Sequence, residues 1–206
     1  MRIFDEVDHM VVETLEGQAM ELGWLRDIDL IVGADDYLRL VLKKTAWYSF
    51  IHPMRIGALA ANGEDRNLSR FNRFGYLLGL AFQITDDVLN LKGNVARYGK
   101  EINGDLWEGK RTRMLTRALG YAHSADRAWM SGFLARPLER RLPREVLRLH
   151  EIIASSGSIE VAQQAAAAFA EAAAREFDRS AFAGVPASPD LEWLRACVDY
   201  LMRREA

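Results

Sequence analysis

Cysteine is all but absent: Cys197 stands alone in 206 residues. A lone thiol excludes an internal disulfide and a cysteine-built zinc site, and it makes a reducing cytoplasm the expected compartment. Proline is scarce as well, at five residues. No apolar run approaches the roughly 18 residues that a bilayer-spanning helix needs. The most apolar stretch, Tyr76-Leu77-Leu78-Gly79-Leu80-Ala81-Phe82, reads as protein core, so no transmembrane segment is expected. The opening Met1-Arg2-Ile3-Phe4-Asp5-Glu6 is already acidic and lacks the apolar stretch of a signal peptide. Charge of one sign is missing too: 27 Lys and Arg face 29 Asp and Glu, a net of −2. That balance gives no electrostatic reason to bind nucleic acid. Lysine itself is rare, with Lys43, Lys44, Lys92, Lys100 and Lys110 set among many arginines. A lysine kept in such a background suits a compact point charge, although for any single one chance explains it as well.

What is abundant is apolar residue at helical spacing, in a chain that is 50% hydrophobic and 27% charged. Ile3, Val7, Met10, Val11, Leu15, Ala19 and Leu22 form one helix face, closed by Gly23. Further helices are predicted over 37–49, over 54–60 after an interruption at His52-Pro53, over 67–91, over 110–130, over 144–154, over 159–177 and over 191–202. Residues 92–109 read as a polar loop with four glycines. No strand-like alternation and no fixed repeat is present. The fold expected is all-α, about seven or eight helices in one domain over 1–206.

The sharpest chemical feature lies in 79–90. On a helix, Gln83, Asp86, Asp87 and Asn90 fall within roughly a 100° arc, while Phe74, Leu77, Leu78, Leu80, Ala81, Ile84, Val88 and Leu89 make the rest apolar. Neighbouring carboxylates in a low-dielectric setting repel unless a cation lies between them. Oxygen ligands select a hard cation, for which Mg²⁺ with phosphate oxygens is the usual case. The alternative is that Thr85-Asp86-Asp87 caps a new helix, against which the apolar pattern continues on both sides. Lys43-Lys44-Thr45 offers cation and hydroxyl to a diphosphate, or reads as a solvated pair on an amphipathic helix. Gly104 to Lys110 matches the start of a P-loop, but Arg111 stands where Ser or Thr is required and no strand precedes it. A loop bringing Lys100 over an anion, or simply a charged surface loop, fits better. Gln18 and Glu21, beside Thr14, line a polar wall or face solvent. His9, His52, His123 and His150 show no metal-ligand spacing and read as structural.

Taken together, Glu16 to Leu22, Leu42-Lys43-Lys44-Thr45-Ala46-Trp47-Tyr48, Phe82-Gln83-Ile84-Thr85-Asp86-Asp87-Val88-Leu89-Asn90, Tyr98 to Thr112 and Gly157-Ser158-Ile159-Glu160 resemble the trans-isoprenyl diphosphate synthase (polyprenyl synthetase) family, in its geranylgeranyl diphosphate synthase-like branch. The resemblance covers nearly all of the chain. It implies a helical bundle of the isoprenoid synthase type and a prenyltransferase of isoprenoid biosynthesis that condenses an allylic diphosphate with isopentenyl diphosphate. It implies Mg²⁺ on Asp86 and Asp87, with Asn90 where many members carry a third Asp. Lys44, Thr45, Gln83 and Lys100 match residues that contact the diphosphate and the ionising carbon, and Gln18 falls in a further matching segment. A dimer, with itself or with a synthase-like chain, is implied too. The family's first D-D-x-x-D motif, which lies upstream in its members, has no counterpart. Asp35-Asp36-Tyr37-Leu38-Arg39 starts like it but lacks the final Asp. The expectation is therefore an N-terminally truncated bundle that is not competent alone. The competing readings are a non-catalytic scaffold or regulatory partner of a full-length synthase, and a lyase or cyclase that uses only an allylic diphosphate.

Overall fold

A computed structural model describes residues 2–27, 32–62, 67–92 and 103–203. Every regular element among the described residues is helical. The helices are α1 (Arg2–Arg26), α2 (Ala34–Val41), a π-helical stretch (Leu42–Ile51), α3 (His52–Asn62), α4 (Arg70–Lys92), α5 (Gly104–Glu108), α6 (Arg113–Tyr121), α7 (Ser124–Leu134), a 3₁₀ turn (Leu138–Arg140), α8 (Pro143–Ser155), α9 (Ser158–Glu176), a second π stretch (Phe177–Ala181) and α10 (Pro189–Arg203). None is long and apolar enough to cross a membrane.

The chain packs as two compact units. One comprises Met1–Ala19, Leu38–Gln83 and Ala165–Arg204. Its core gathers Phe71, Phe74 and Leu78 of α4 with Ala173, Phe177, Ala181 and Val198. Small residues let helices approach: a β-carbon on Gly79 would lie 2.7 Å from that of Ala46. The other unit comprises Met20–Tyr37, Ile84–Gln164 and Glu205–Ala206. Ile84, Leu106, Met114, Leu115, Met130, Phe133, Leu149 and Ile153 are the largest of its fully buried side chains.

The all-helical expectation holds, and three local details differ. His52-Pro53 does not interrupt: the π stretch passes straight into α3, with the His52 amide donating to the Trp47 carbonyl five residues back. Pro53 falls in the first turn of α3, where a missing N–H is tolerated. The polar loop contains α5, whose ends Asn103 (φ 65°) and Gly109 (φ 75°) both take left-handed backbone. The stretch 110–130 is two helices. Ala122 is extended, and Arg127 caps the break by donating to the carbonyls of Leu119 (3.0 Å), Gly120 (2.8 Å) and Ala122 (3.2 Å). Asn62-Gly63-Glu64-Asp65, which reads as a loop in sequence, lies outside the described residues apart from Asn62, the last residue of α3.

Candidate functional site

Helix α4 carries the polar stripe that its sequence spacing predicts. Asp87 and Asn90 are each 6% exposed, and Gln83 and Asp86 are half-buried. Burial follows from the flanks, since Ile84, Val88 and Leu89 turn into the core. A buried carboxylate needs donors. Asp87 Oδ2 accepts a 2.9 Å hydrogen bond from the hydroxyl of Tyr37, itself 3% exposed on α2. Burial, then the charge of Asp87 and its hydrogen bond, push the Tyr37 phenol well above its ordinary pKa, so it is a neutral donor. Nothing in the sequence spacing singled out Tyr37; only the packing of α2 reveals it.

Thr45 Oγ1 donates to Gln83 Oε1 at 2.8 Å, so two residues 38 apart in sequence are brought together as the predicted site requires. Thr45 lies on the π stretch, a widened turn of a kind common at functional sites. Lys43 and Lys44, neighbours there, have different surroundings. Lys43 Nζ is clamped by Glu13 (2.8 Å) and Glu16 (2.6 Å) of α1, and those hydrogen bonds raise its pKa. Lys43 is thus paired with two carboxylates rather than a solvated lysine. Lys44 is half-buried and packs under Gly17 of α1, where a β-carbon would stand 2.7 Å from the Lys44 amide nitrogen. Gln18, the next residue, is half-buried as well. Lys100 lies outside the described residues.

Asn90 also has a structural part to play. Its carbonyl accepts from the Asn103 amide (2.8 Å) and its Oδ1 accepts from the Asp105 amide (3.1 Å), so it anchors the start of α5. His150 Nδ1 completes that anchor on Asn103 Oδ1 at 2.7 Å. Lys110, the lysine of the P-loop-like string, is held by Asp105 (2.6 Å) and Glu108 (3.1 Å). Burial opposes its charge, but the two carboxylates prevail and raise its pKa. The string forms a short helix with its cation occupied, which bears out the rejection of a phosphate cradle. His9 and His52, both read as structural, are hydrogen-bonded to each other at 2.9 Å.

Asp86 and Asp87 are the residues that could hold a metal. Adjacent carboxylates, one of them buried, favour a cation beside them. Among the described residues no three His, Cys, Asp or Glu converge. The donor set therefore fits a hard cation that takes one or two carboxylates and completes its shell with water and phosphate oxygens, as Mg²⁺ does.

Residues 1–147 match the family model described as polyprenyl synthetase. A short chain isoprenyl diphosphate synthase of Methanothermobacter thermautotrophicus is 31% identical over 140 residues, 68% of this chain and 42% of that protein. A geranylgeranyl pyrophosphate synthase of Geoglobus acetivorans is 27% identical over 206 residues, all of this chain and 59% of that one. Among solved structures, a polyprenyl synthase of Caulobacter crescentus, complexed with calcium and isoprenyl diphosphate, superposes with a TM-score of 0.84 at 26% identity. It covers 100% of this chain, which spans 60% of its length.

Proposed function

Because the chain belongs to the polyprenyl synthetase family, we propose that its polar stripe is the diphosphate end of a prenyltransferase site, geranylgeranyl diphosphate synthase-like, which binds an allylic diphosphate for condensation with isopentenyl diphosphate. The observation that carries this reading is helix α4 itself: Gln83, held to Thr45, stands one turn before the Asp86-Asp87 pair on a rod that is otherwise core.

The rate-determining demand in such chemistry is the negative charge that builds on diphosphate as the C–O bond ionises. Mg²⁺, when bound by Asp86 and Asp87, supplies positive charge at that group. Lys44 and Lys100 contribute positive charge to the leaving diphosphate. The Thr45 hydroxyl and the Gln83 amide, each orienting the other, present dipoles beside the ionising carbon. Gln18 contributes to the polar wall. The surrounding apolar residues suit a hydrocarbon tail. We place the reaction in the cytoplasm, consistent with one cysteine.

Association with a second copy is part of the proposal. Phe4, Val11, Leu15 and Leu22 recur along one side of α1 and remain exposed, at 73% for Phe4 and 64% for Leu15. Such a stripe on a helix is suited to a partner helix. Light scattering at twice 23.3 kDa is expected, and the monomer mass would count against it.

The test is calorimetry with a non-hydrolysable allylic thiolodiphosphate in the presence and absence of Mg²⁺. Mg²⁺-dependent binding, lost in the folded D86A/D87A variant, is expected. Unchanged binding in that variant overturns the reading. In a radiolabelled elongation assay the chain alone is expected to give no product, and product would overturn the expectation that it is not competent alone.

A further inference from the structure

The two carboxylates of the stripe are not equivalent, and Tyr37 makes the difference. Its phenol donates to one named oxygen, Asp87 Oδ2, at 2.9 Å, with donor and acceptor both buried. Asp86, next to it, is half-buried. A carboxylate ligates a cation through one oxygen or through both. Chelation through both suits Ca²⁺, which takes six to eight oxygens at longer and more variable distances. Mg²⁺ demands a near-ideal octahedron of single-oxygen ligands. A phenol fixed on Oδ2 competes with a cation for that oxygen and also locks the rotation of the carboxylate. While the bond is kept, ligation through both oxygens at once is disfavoured.

On this basis, and resting on the metal role given to Asp87 above, we propose that Tyr37 is a positioning residue that holds Asp87 to single-oxygen ligation and so biases the site towards Mg²⁺ over Ca²⁺. The role given to Tyr37 runs through Asp87, to which its hydroxyl is bonded. Its rigidity supports the role. The phenol is carried on α2 and buried on all sides, so it has little room to swing away when a cation arrives. A flexible donor in its place, or water, would yield Oδ2 to the larger ion at small cost. Residues behind a ligand that fix its orientation alter metal affinity by about 10–100-fold when removed.

The experiment compares wild type, Y37F and D87A by calorimetry, titrating Mg²⁺ and Ca²⁺ separately in the presence of an allylic thiolodiphosphate. Thermal melts of each metal-free protein serve as a folding control. In Y37F the Mg²⁺ midpoint is expected to rise about tenfold, while the Ca²⁺ midpoint stays within twofold or falls, so the preference for Mg²⁺ narrows. A purely structural role for Tyr37 would lower the melting temperature and move both midpoints equally, which overturns the inference. An unaltered Mg²⁺ midpoint in Y37F overturns it as well. Loss of Mg²⁺ response in D87A, together with either of those results, leaves the proposed function standing and removes the Tyr37 role alone. A D87A protein that responds to Mg²⁺ like wild type removes both.

Discussion

His9 Nδ1 and His52 Nε2 lie 2.9 Å apart, joining α1 to α3 across 43 residues of sequence. The partners assign the protons. Glu6 holds Arg55 on one oxygen (2.7 Å) and His52 Nδ1 on the other (2.7 Å), so Nδ1 carries hydrogen and Nε2 accepts from His9. His9 faces Glu13 at 3.7 Å, and the Trp47 ring packs on both imidazoles. A proton added to His52 would set two N–H groups against each other. Burial, opposed by Glu6 and assisted by His9 and Arg55, lowers the pKa of His52 below its ordinary value. The unfolded chain therefore takes that proton at higher pH than the folded one. Stability from this group is intact above about pH 6.5 and falls as pH drops from there towards the folded pKa. Thermal melts should show a lower midpoint at pH 5.5 than at pH 7.5. The slope should flatten in H52Q, which has no such proton to gain; an equal slope in H52Q would rule His52 out as its source.

Gly79 and Ala46 make a second contact with no slack. Alanine at 79 would put its β-carbon 2.7 Å from that of Ala46 and 2.9 Å from its α-carbon. G79A should cost about 1–3 kcal/mol by overpacking. A46G in the same chain should recover only part of that, because the 2.9 Å approach to the α-carbon of residue 46 persists, and it adds the ~1 kcal/mol cost of a helical glycine. Chemical denaturation of the two single variants and the double variant measures the coupling. Additive losses would mean the two residues do not press on one another.

Arg141 makes a third. Its guanidinium is inside the fold, donating to the carbonyls of Trp107, Leu134 (3.1 Å) and Arg136 (3.3 Å), with Phe133 beneath it. Burial lowers its pKa. Replacing it by Met keeps the apolar stem and strands those carbonyls, at a cost of about 2 kcal/mol. Lysine should restore little, since a single ammonium cannot reach three divergent acceptors. A stability of R141K equal to wild type would contradict this account.

Asn90 yields a prediction that also marks the limit of sequence reading. N90A should destabilise the start of α5 by about 1 kcal/mol, as loss of a helix-capping acceptor does. N90D keeps the acceptor oxygen but buries a third carboxylate one turn from Asp86 and Asp87, so it should hold the Asp105 amide while also losing stability. Faster hydrogen exchange of the Asp105 amide in N90A, and its protection in N90D, is the expected pattern. Equal exchange in both would remove the capping role.

The period of apolar residues made the helices legible, and the spacing of Gln83, Asp86 and Asp87 made the stripe legible, because both are local properties of one helix. The resemblance names Thr45 and Gln83 separately, while their hydrogen bond comes from packing. What sequence could not give were relationships set by packing between helices. Tyr37 behind Asp87, the His9–His52 pair and the clamp on Lys43 all join residues far apart in the chain. Asn90 was assigned to the stripe by its angle, yet its partner was a backbone amide of α5, which no periodicity encodes. The break at Ala122 was missed because its cap is the side chain of Arg127, reaching back over a turn.

Gly17 gives α1 a mutational signature that differs from side to side. Its inward position is closed to every amino acid with a side chain, since even a methyl group would strike the Lys44 amide at 2.7 Å. Outward, Phe4 and Leu15 meet no such barrier within the chain. In a saturation library, intolerance at 17 would register fit between two helices of one chain. Any intolerance at 4 and 15 would register something that chain alone does not contain, so a single helix reports separately on folding and on assembly.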